Sequence, residues 1–301
     1  MHYRQCLESL NYGANVVVEK PIAGNEKDAL EIQLHAIRTN LSVYVFQNRR
    51  WDSDFLTLQY LSQITSLGYI KRFESRMESF NPLVPESWRN SPNLGDLGGV
   101  LLDLGVHLVD QAIEMMGPVY SVSAELESIR KSDAAEDQFT MLLQHSNNTS
   151  SLLIGSKAQR PIGSRFFVMG ESGLIRINSC DSQESELRKG AIPNQSTWGQ
   201  EPPSSFAEIE MITHENQIKV ERFPLLRGRW NYFYNEVFNS ITIGSVPPVP
   251  IFDAVNNMRV LDAARQSHID KTEFVLNVPA THSTKSQFQA DNNRVLGGRT
   301  E

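Results

Sequence analysis

Cysteine is nearly absent from this chain: Cys6 and Cys180 are the only two in 301 residues. Two thiols without metal-ligand spacing exclude a disulfide scaffold and a cysteine metal centre, and reduced thiols suit a cytosolic protein. No apolar run approaches the ~18 residues of a membrane span. The opening Met1-His2-Tyr3-Arg4-Gln5 is polar, with no signal-type apolar core behind it. Basic charge is in deficit, and the formal net charge is −7. That argues against nucleic acid and against an anionic membrane surface as partners, since both need a basic footprint. Several motifs are missing too. There is no G-x-x-x-x-G-K-[ST] loop, no H-E-x-x-H, no G-x-S-x-G and no G-x-G of any kind, so the dinucleotide fingerprint G-x-G-x-x-G is absent.

Hydrophobic residues, by contrast, make up 40% of the chain, enough for a sizeable core. The length suits one large domain or two modest ones. No internal repeat is present. Residues 281–301 are polar and read as a disordered tail.

The first 68 residues alternate helix and strand. A short helix is expected over 3–11. Val16-Val17-Val18 reads as a strand buried on both faces, broken by Glu19-Lys20-Pro21. Asn25 can cap a helix in which Leu30, Leu34 and Ile37 recur at helical spacing. Val43 to Phe46 reads as a second buried strand, followed by polar Gln47 to Arg50 and a helix carrying Phe55, Leu58 and Leu61. This is the pattern of a doubly wound α/β sheet, in which ligands lie beyond the carboxyl ends of the strands. Glu19-Lys20-Pro21 and residues 47–50 fall at that edge.

After Gly68 the pattern changes to strands in series: 69–79, 120–127, 137–144, 151–156, 165–169 and 174–177. The last pair is joined by a hairpin-type loop. A mainly antiparallel sheet in a second, α+β domain over 69–280 is therefore expected. A helix over about 102–116 lies between its first two strands, stopped by Gly117-Pro118. Asp253 can cap a late helix whose Val255, Met258, Leu261 and Ala264 face the core.

Chemistry concentrates in Gly98-Gly99-Val100-Leu101-Leu102-Asp103-Leu104-Gly105-Val106-His107. Asp103 and His107, four apart, share one helix face. A carboxylate there can fix the imidazole tautomer and leave the other nitrogen free for proton transfer. The alternative is structural, with Asp103 a cap and His107 a satisfied interior histidine. The two glycines allow a ligand or a neighbouring element to come close. Lys20, before proline, is confined to extended backbone, though it could equally be a solvated loop lysine. Arg49, Arg50 and Arg89 read as surface arginines, and Trp88 as packing.

Val16-Val17-Val18-Glu19-Lys20-Pro21 followed by Asp103-Leu104-Gly105-Val106-His107 resembles the Gfo/Idh/MocA oxidoreductases (glucose–fructose oxidoreductase, inositol dehydrogenase and relatives). The similarity runs from His2 to about His268. Gln47 to Asp52, Trp88-Arg89, Asp181 to Glu184, Trp198-Gly199 and Glu201 look like the branch containing NADP-dependent scyllo-inositol dehydrogenases. The resemblance implies the C-terminal part of a Rossmann domain over 1–68, then a substrate and oligomerisation domain over 69–280. It implies NAD or NADP as cofactor, a polyol or sugar as substrate, and a homodimer or larger assembly. It makes Lys20, Asp103 and His107 catalytic and puts Glu19, Lys20, Pro21, Trp88 and Arg89 on the cofactor side. The peptide before Pro21 is often cis in the family.

In the family, further strand–helix units precede the segment equivalent to Met1. At about 30 residues per βαβ unit that is roughly 70 residues, which would carry the pyrophosphate-binding turn. The expectation is that Met1 is internal to a longer gene, and that Val16 to Val18 lack parallel neighbours. The chain as given would then bind dinucleotide poorly. The leading reading is an NAD(P)-dependent dehydrogenase; the alternative is a non-enzymatic regulatory or sugar-binding module.

Overall fold

Hydrogen-bonding geometry divides the strands into a small parallel pair and one wide sheet. The structure, a computed structural model, describes residues 1–213 and 215–276. The tail expected to be disordered, 281–301, lies outside the described residues.

Helix α1 (His2–Asn11) leads into β1 (Val16–Glu19), α2 (Glu26–Thr39) and β2 (Val43–Phe46). β1 and β2 pair in parallel, Val16 opposite Val43, with α2 as the crossover between them. The expectation that Val16 to Val18 lack a parallel neighbour is thus corrected: β2 supplies one. The burial expected on both faces is also corrected, because Val18 is buried while Val17 is 47% exposed. The face of β1 that carries Val17 is left open, although on the same face of β2 Tyr44 is buried against Phe233 and Val237. Asn25 caps α2 as expected, its Oδ1 accepting from the Asp28 N–H at 2.8 Å. The buried side of α2 is Ala29, Ile32 and Ala36, while Leu30, Leu34 and Ile37 face outward. The helix was legible from its apolar period, but that stripe is not the packed one.

After β2 a short 3-10 turn (Asn48–Trp51) leads to α3 (Ser53–Ile64), which buries Phe55, Leu58 and Leu61. Then come β3 (Arg72–Glu78), α4 (Val106–Met116), β4 (Val119–Glu127), β5 (Gln138–His145), β6 (Ser150–Ser156), β7 (Phe166–Met169) and β8 (Gly173–Ile177). Helix α5 (Gln183–Arg188), β9 (Phe206–Ile212), β10 (Ile218–Pro224), α6 (Asn231–Ile243), α7 (Ile251–Asp270) and β11 (Phe274–Val275) complete the described chain. The sheet has nine strands in the order β10-β9-β8-β7-β3-β6-β5-β4-β11. Its pairings are antiparallel except β3 with β6, which run parallel. α5, β9, β10, α6 and β11 have no counterpart among the elements expected from the sequence. The fold is therefore Rossmann-type α/β structure followed by a mainly antiparallel sheet domain.

Helices α3, α4 and α7 cover one face of the sheet, which buries Phe73, Phe139, Met141, Leu143, Leu153, Phe166, Val168 and Ile175. Val255, Met258, Leu261 and Ala264 of α7 are buried as expected. Asp253 does not cap that helix, however. Pro250 holds the cap position, and Asp253 instead accepts from Arg50 at 3.0 Å. One hydrophobic core runs from Cys6 to Leu276, because α7 packs against both α2 and β4.

Candidate active site

The segment leading into α4 is shaped by close packing. A Cβ on Gly98 would collide with the carbonyls of Ser91 and Trp88. Gly99 has φ +90°, and a Cβ there would collide with the Glu136 carboxylate. That carboxylate accepts from the Leu101 N–H at 3.1 Å. The two glycines therefore admit neighbouring protein groups. Trp88 and Arg89 contribute backbone to this turn, with the Arg89 carbonyl accepting from the Gly99 N–H at 2.9 Å. The Arg89 guanidinium stacks 4.5 Å from the ring centre of Trp88, whose side chain is half-exposed.

Leu101–Gly105 form a π-helical turn, and the α-helix proper begins at Val106. The expected single helix over 102–116 thus opens with a wider turn. Asp103 is nevertheless not hydrogen-bonded to His107, because both of its carboxylate oxygens accept from lysines. This corrects the expected carboxylate–imidazole pair. Among the described residues neither ring nitrogen of His107 has a hydrogen-bond partner, and the buried Nδ1 is left unsatisfied.

Asp103 bonds to lysines instead. Lys20 Nζ donates to Asp103 Oδ1 at 3.0 Å and to the Asp103 carbonyl oxygen at 2.7 Å. Lys157 Nζ donates to Asp103 Oδ2 at 2.6 Å. Burial alone would raise the Asp103 pKa, but the two ammonium groups outweigh it and hold the carboxyl below its usual range. Lys20 directly follows β1 and precedes Pro21 across a cis peptide, as the resemblance implied. It spans from the parallel pair to the wide sheet's helix layer, joining the two parts of the chain at the site.

His107 is 3% exposed. Burial is the main cause of its strongly lowered pKa, reinforced by Lys20, Arg49 and Arg165. A free histidine side chain titrates near ~6.5. The structure replaces it with an imidazole held neutral throughout the physiological range. Next to it, Gln47 is buried and donates from Nε2 to the Val106 carbonyl at 3.1 Å. Its Oε1 is also buried without a partner.

Lys157 was missed by sequence reading, though strand alternation carried the signal. Ser151, Leu153 and Gly155 face the helix layer, and a residue two further on returns to that face. The Lys157 backbone continues the ladder, its N–H donating to the Asp137 carbonyl and its carbonyl accepting from the Asn81 N–H.

Arg49 and Arg50 are largely enclosed, their side chains 14% and 11% exposed, which corrects their reading as surface residues. Arg50 pairs with Asp110 through two bonds of 2.8 and 2.7 Å, and with Glu114 and Asp253. Arg49 bridges Asp52 and Glu184. Arg165 donates to Asp54, Ser75 and Gln111, and Gln111 donates to the Arg49 carbonyl. The segments near 181–184 and 201 converge on the start of α3. Asp181 accepts from the Ser53 N–H, Glu201 from the Ser53 hydroxyl, and Gln183 donates to the Trp51 carbonyl. Together these bonds fix the loop after β2.

An open cleft of about 450 Å³ lies beyond the carboxyl end of β1, lined by Tyr3, Gly24, Asn25, Leu97 and Arg265 among others. Lys20, Asp103 and His107 are not in its lining. No metal-binding cluster occurs among the described residues, and no helix among them is long and apolar enough to cross a membrane.

Comparison with known proteins agrees with this architecture. The profile of the oxidoreductase family's C-terminal alpha/beta domain, of the Gfo/Idh/MocA type, matches residues 62–276. The chain belongs to the Gfo/Idh/MocA oxidoreductase family. It is 28% identical to the scyllo-inositol 2-dehydrogenase (NADP(+)) IolW of Bacillus subtilis, over 92% of this chain and 76% of that protein. It is 29% identical to the oxidoreductase YdgJ of Escherichia coli, over 88% of this chain and 75% of that protein. The solved structure of yvaA from Bacillus subtilis superposes with a TM-score of 0.86 at 27% identity, covering 92% of this chain and 78% of that one.

Proposed function

We propose that this chain carries the catalytic groups of an NAD(P)-dependent dehydrogenase acting on a secondary hydroxyl of a polyol, inositol or sugar. The observation that carries the reading is the meeting of Lys20 and Asp103 beside a neutral, unpartnered His107. The two come from sequence positions 83 apart.

The nicotinamide end of a dinucleotide fits this arrangement. Gln47 Oε1 and His107 Nδ1 are buried without partners, and the Lys20 ammonium is close enough to His107 to help lower its pKa. In this reading Glu19, Lys20 and Pro21 flank the nicotinamide, and Trp88 and Arg89 border the cofactor's path. A nicotinamide bound there would supply the acceptor for a hydride leaving the carbinol carbon. Everything else falls to this chain. His107 takes the hydroxyl proton, because its neutral imidazole keeps a lone pair at physiological pH. Lys20 donates to the reacting oxygen and stabilises its developing charge. Asp103 holds Lys20 in place through the 3.0 Å bond.

In this reading residues 1–68 belong to the nucleotide-binding part and 69–280 to the substrate and oligomerisation part. The outer face of the wide sheet supports self-association. Leu142 pairs with Leu152, Leu152 with Glu74, Glu74 with Phe167, and Phe167 with Arg176 in one row of cross-strand neighbours. Such a half-apolar face favours a second sheet against it.

A second reading, sugar binding without turnover, is favoured by one observation: buried His107 has a strongly lowered pKa, which makes it a weak base. One assay separates the two. The chain is incubated with NAD⁺ or NADP⁺ and a panel of inositols, polyols and sugars, and reduced nucleotide is followed. Turnover that is lost in Lys20→Met and His107→Gln carries the first reading. Sugar binding without reduced nucleotide, together with no calorimetric binding of NADH or NADPH, carries the second.

A further inference from the structure

Lys157 brings a charge that the proposed dehydrogenase chemistry does not use. Lys20 and Lys157 share one carboxylate, Asp103, with one ammonium on each oxygen. Counting Lys20, Lys157 and Asp103, and with His107 neutral, the cluster has a surplus of one positive charge. Among the described residues Lys157 has no acceptor other than Asp103 Oδ2, so two of its three N–H donors are uncommitted. The cluster also reaches solvent: the side chains of Lys20, Lys157 and Asp103 are 17%, 24% and 28% exposed. Surplus charge at a fixed, partly desolvated position selects among ligands more strongly than the same charge in open water. Strand β6 supplies the fixed position, since the Lys157 backbone is bonded to both neighbouring chain segments.

We infer that Lys157 makes this a site for a substrate bearing a carboxylate, a sugar acid or polyol acid, with Lys157 holding the acid group while Lys20 meets the reacting hydroxyl. The inference rests on the reading of Lys20, Asp103 and His107 as the substrate site. It goes beyond that reading by assigning the acid group to a particular side chain. An ammonium with two free donors matches a carboxylate better than a neutral hydroxymethyl group does, because the bond is then charge-assisted.

The test compares D-glucuronate with D-glucose, which differ in a carboxylate against a hydroxymethyl group on the same ring. Both are titrated calorimetrically into the full chain, with and without NADP⁺. Glucuronate is expected to bind about tenfold tighter, a preference that shrinks as salt rises because exposed charge is screened. Lys157→Met should bring the ratio of the two affinities close to one, and Lys157→Arg should keep most of it. Equal affinity for both ligands in the parent chain overturns the inference and leaves the site reading intact. A preference that survives Lys157→Met also overturns it, by placing the acid group elsewhere. Binding of neither sugar overturns both. Glucuronate binding that depends on Lys157 but yields no reduced nucleotide upholds the inference and removes the dehydrogenase reading.

Discussion

Lys20 grips Asp103 at two points, the side-chain Oδ1 at 3.0 Å and the main-chain carbonyl at 2.7 Å. One ammonium thereby ties the end of β1 to the π-helical turn that opens the α4 region, across 83 residues of sequence. The position of Lys20 is consequently set by the wide sheet's helix layer as well as by its own strand. The carboxylate that holds it is kept ionised by the same contact together with Lys157.

Asp103→Asn should destabilise the chain by about 1–2 kcal/mol at neutral pH, the scale of hydrogen bonds to charged groups. The folded pKa of Asp103 lies below the unfolded value of ~3.9, so the stabilisation is present above that pH. It is lost as pH falls through the folded pKa. Urea melts of parent and variant at neutral pH and near pH 3 should show a difference that narrows with acid. A difference that grows on acidification would contradict the two-lysine account.

His107 should make stability depend on pH in a particular direction. Its folded pKa is below the unfolded ~6.5, so on acidification the unfolded chain takes up a proton that the folded chain refuses. Stability should therefore fall as pH drops below ~6.5, by at most about 1.4 kcal/mol per pH unit from this group. His145, pushed down to about 4 by burial, adds a slope of the same sign. The measurement is therefore the difference between parent and His107→Leu, which should flatten from pH 7 to 5. In turnover assays His107→Gln should cost about 10²–10⁴-fold, the usual effect of removing a general base.

Arg165→Met should be among the most damaging single changes, at about 3–5 kcal/mol, because it leaves a carboxylate buried without its partner. Asp54 is fully buried and pairs with Arg165 at 3.1 Å. Adding Asp54→Leu should recover part of the loss. If thermal melts place the double variant below Arg165→Met, the ion pair is not the cause.

Gly99→Ala should strain the approach to α4 twice over, through φ +90° and through collision with the Glu136 carboxylate that holds the Leu101 N–H. Overpacking and an unfavourable φ together predict a loss of about 1–3 kcal/mol. Because Leu101 opens the turn that places Asp103, sugar affinity should fall along with the melting temperature. Unchanged affinity would separate this glycine from the site.

The outer face of the wide sheet should mediate association. Ile154 lies on the outward parity of β6, opposite Arg76 and Thr140. Ile154→Glu should shift sedimentation of a dimer toward monomer by placing charge in the joint. A parent chain that sediments as a monomer at tens of micromolar, roughly the range of standard interface tests, would exclude the proposed interface.

Local sequence determined which segments are helix and strand in most of the chain. It marked the Asn25 cap, the strands from 119 to 177 and the buried stripe of α7, because capping and alternation are short-range properties. It also marked Lys20, Asp103 and His107 as the residues to watch, through the two motifs. What it could not determine was how those residues touch. A four-residue spacing permits contact without fixing it, and here Lys20 and Lys157, from distant segments, take the Asp103 carboxylate in place of His107. Likewise Arg49 and Arg50 look like surface residues until Asp110, Asp253 and Glu184, from distant segments, close around them. The outward stripe on α2 and the partner lysine at 157 belong to the same class. Which face is buried, and which charges meet, depends on contacts between residues far apart in sequence, and only the tertiary structure supplies those.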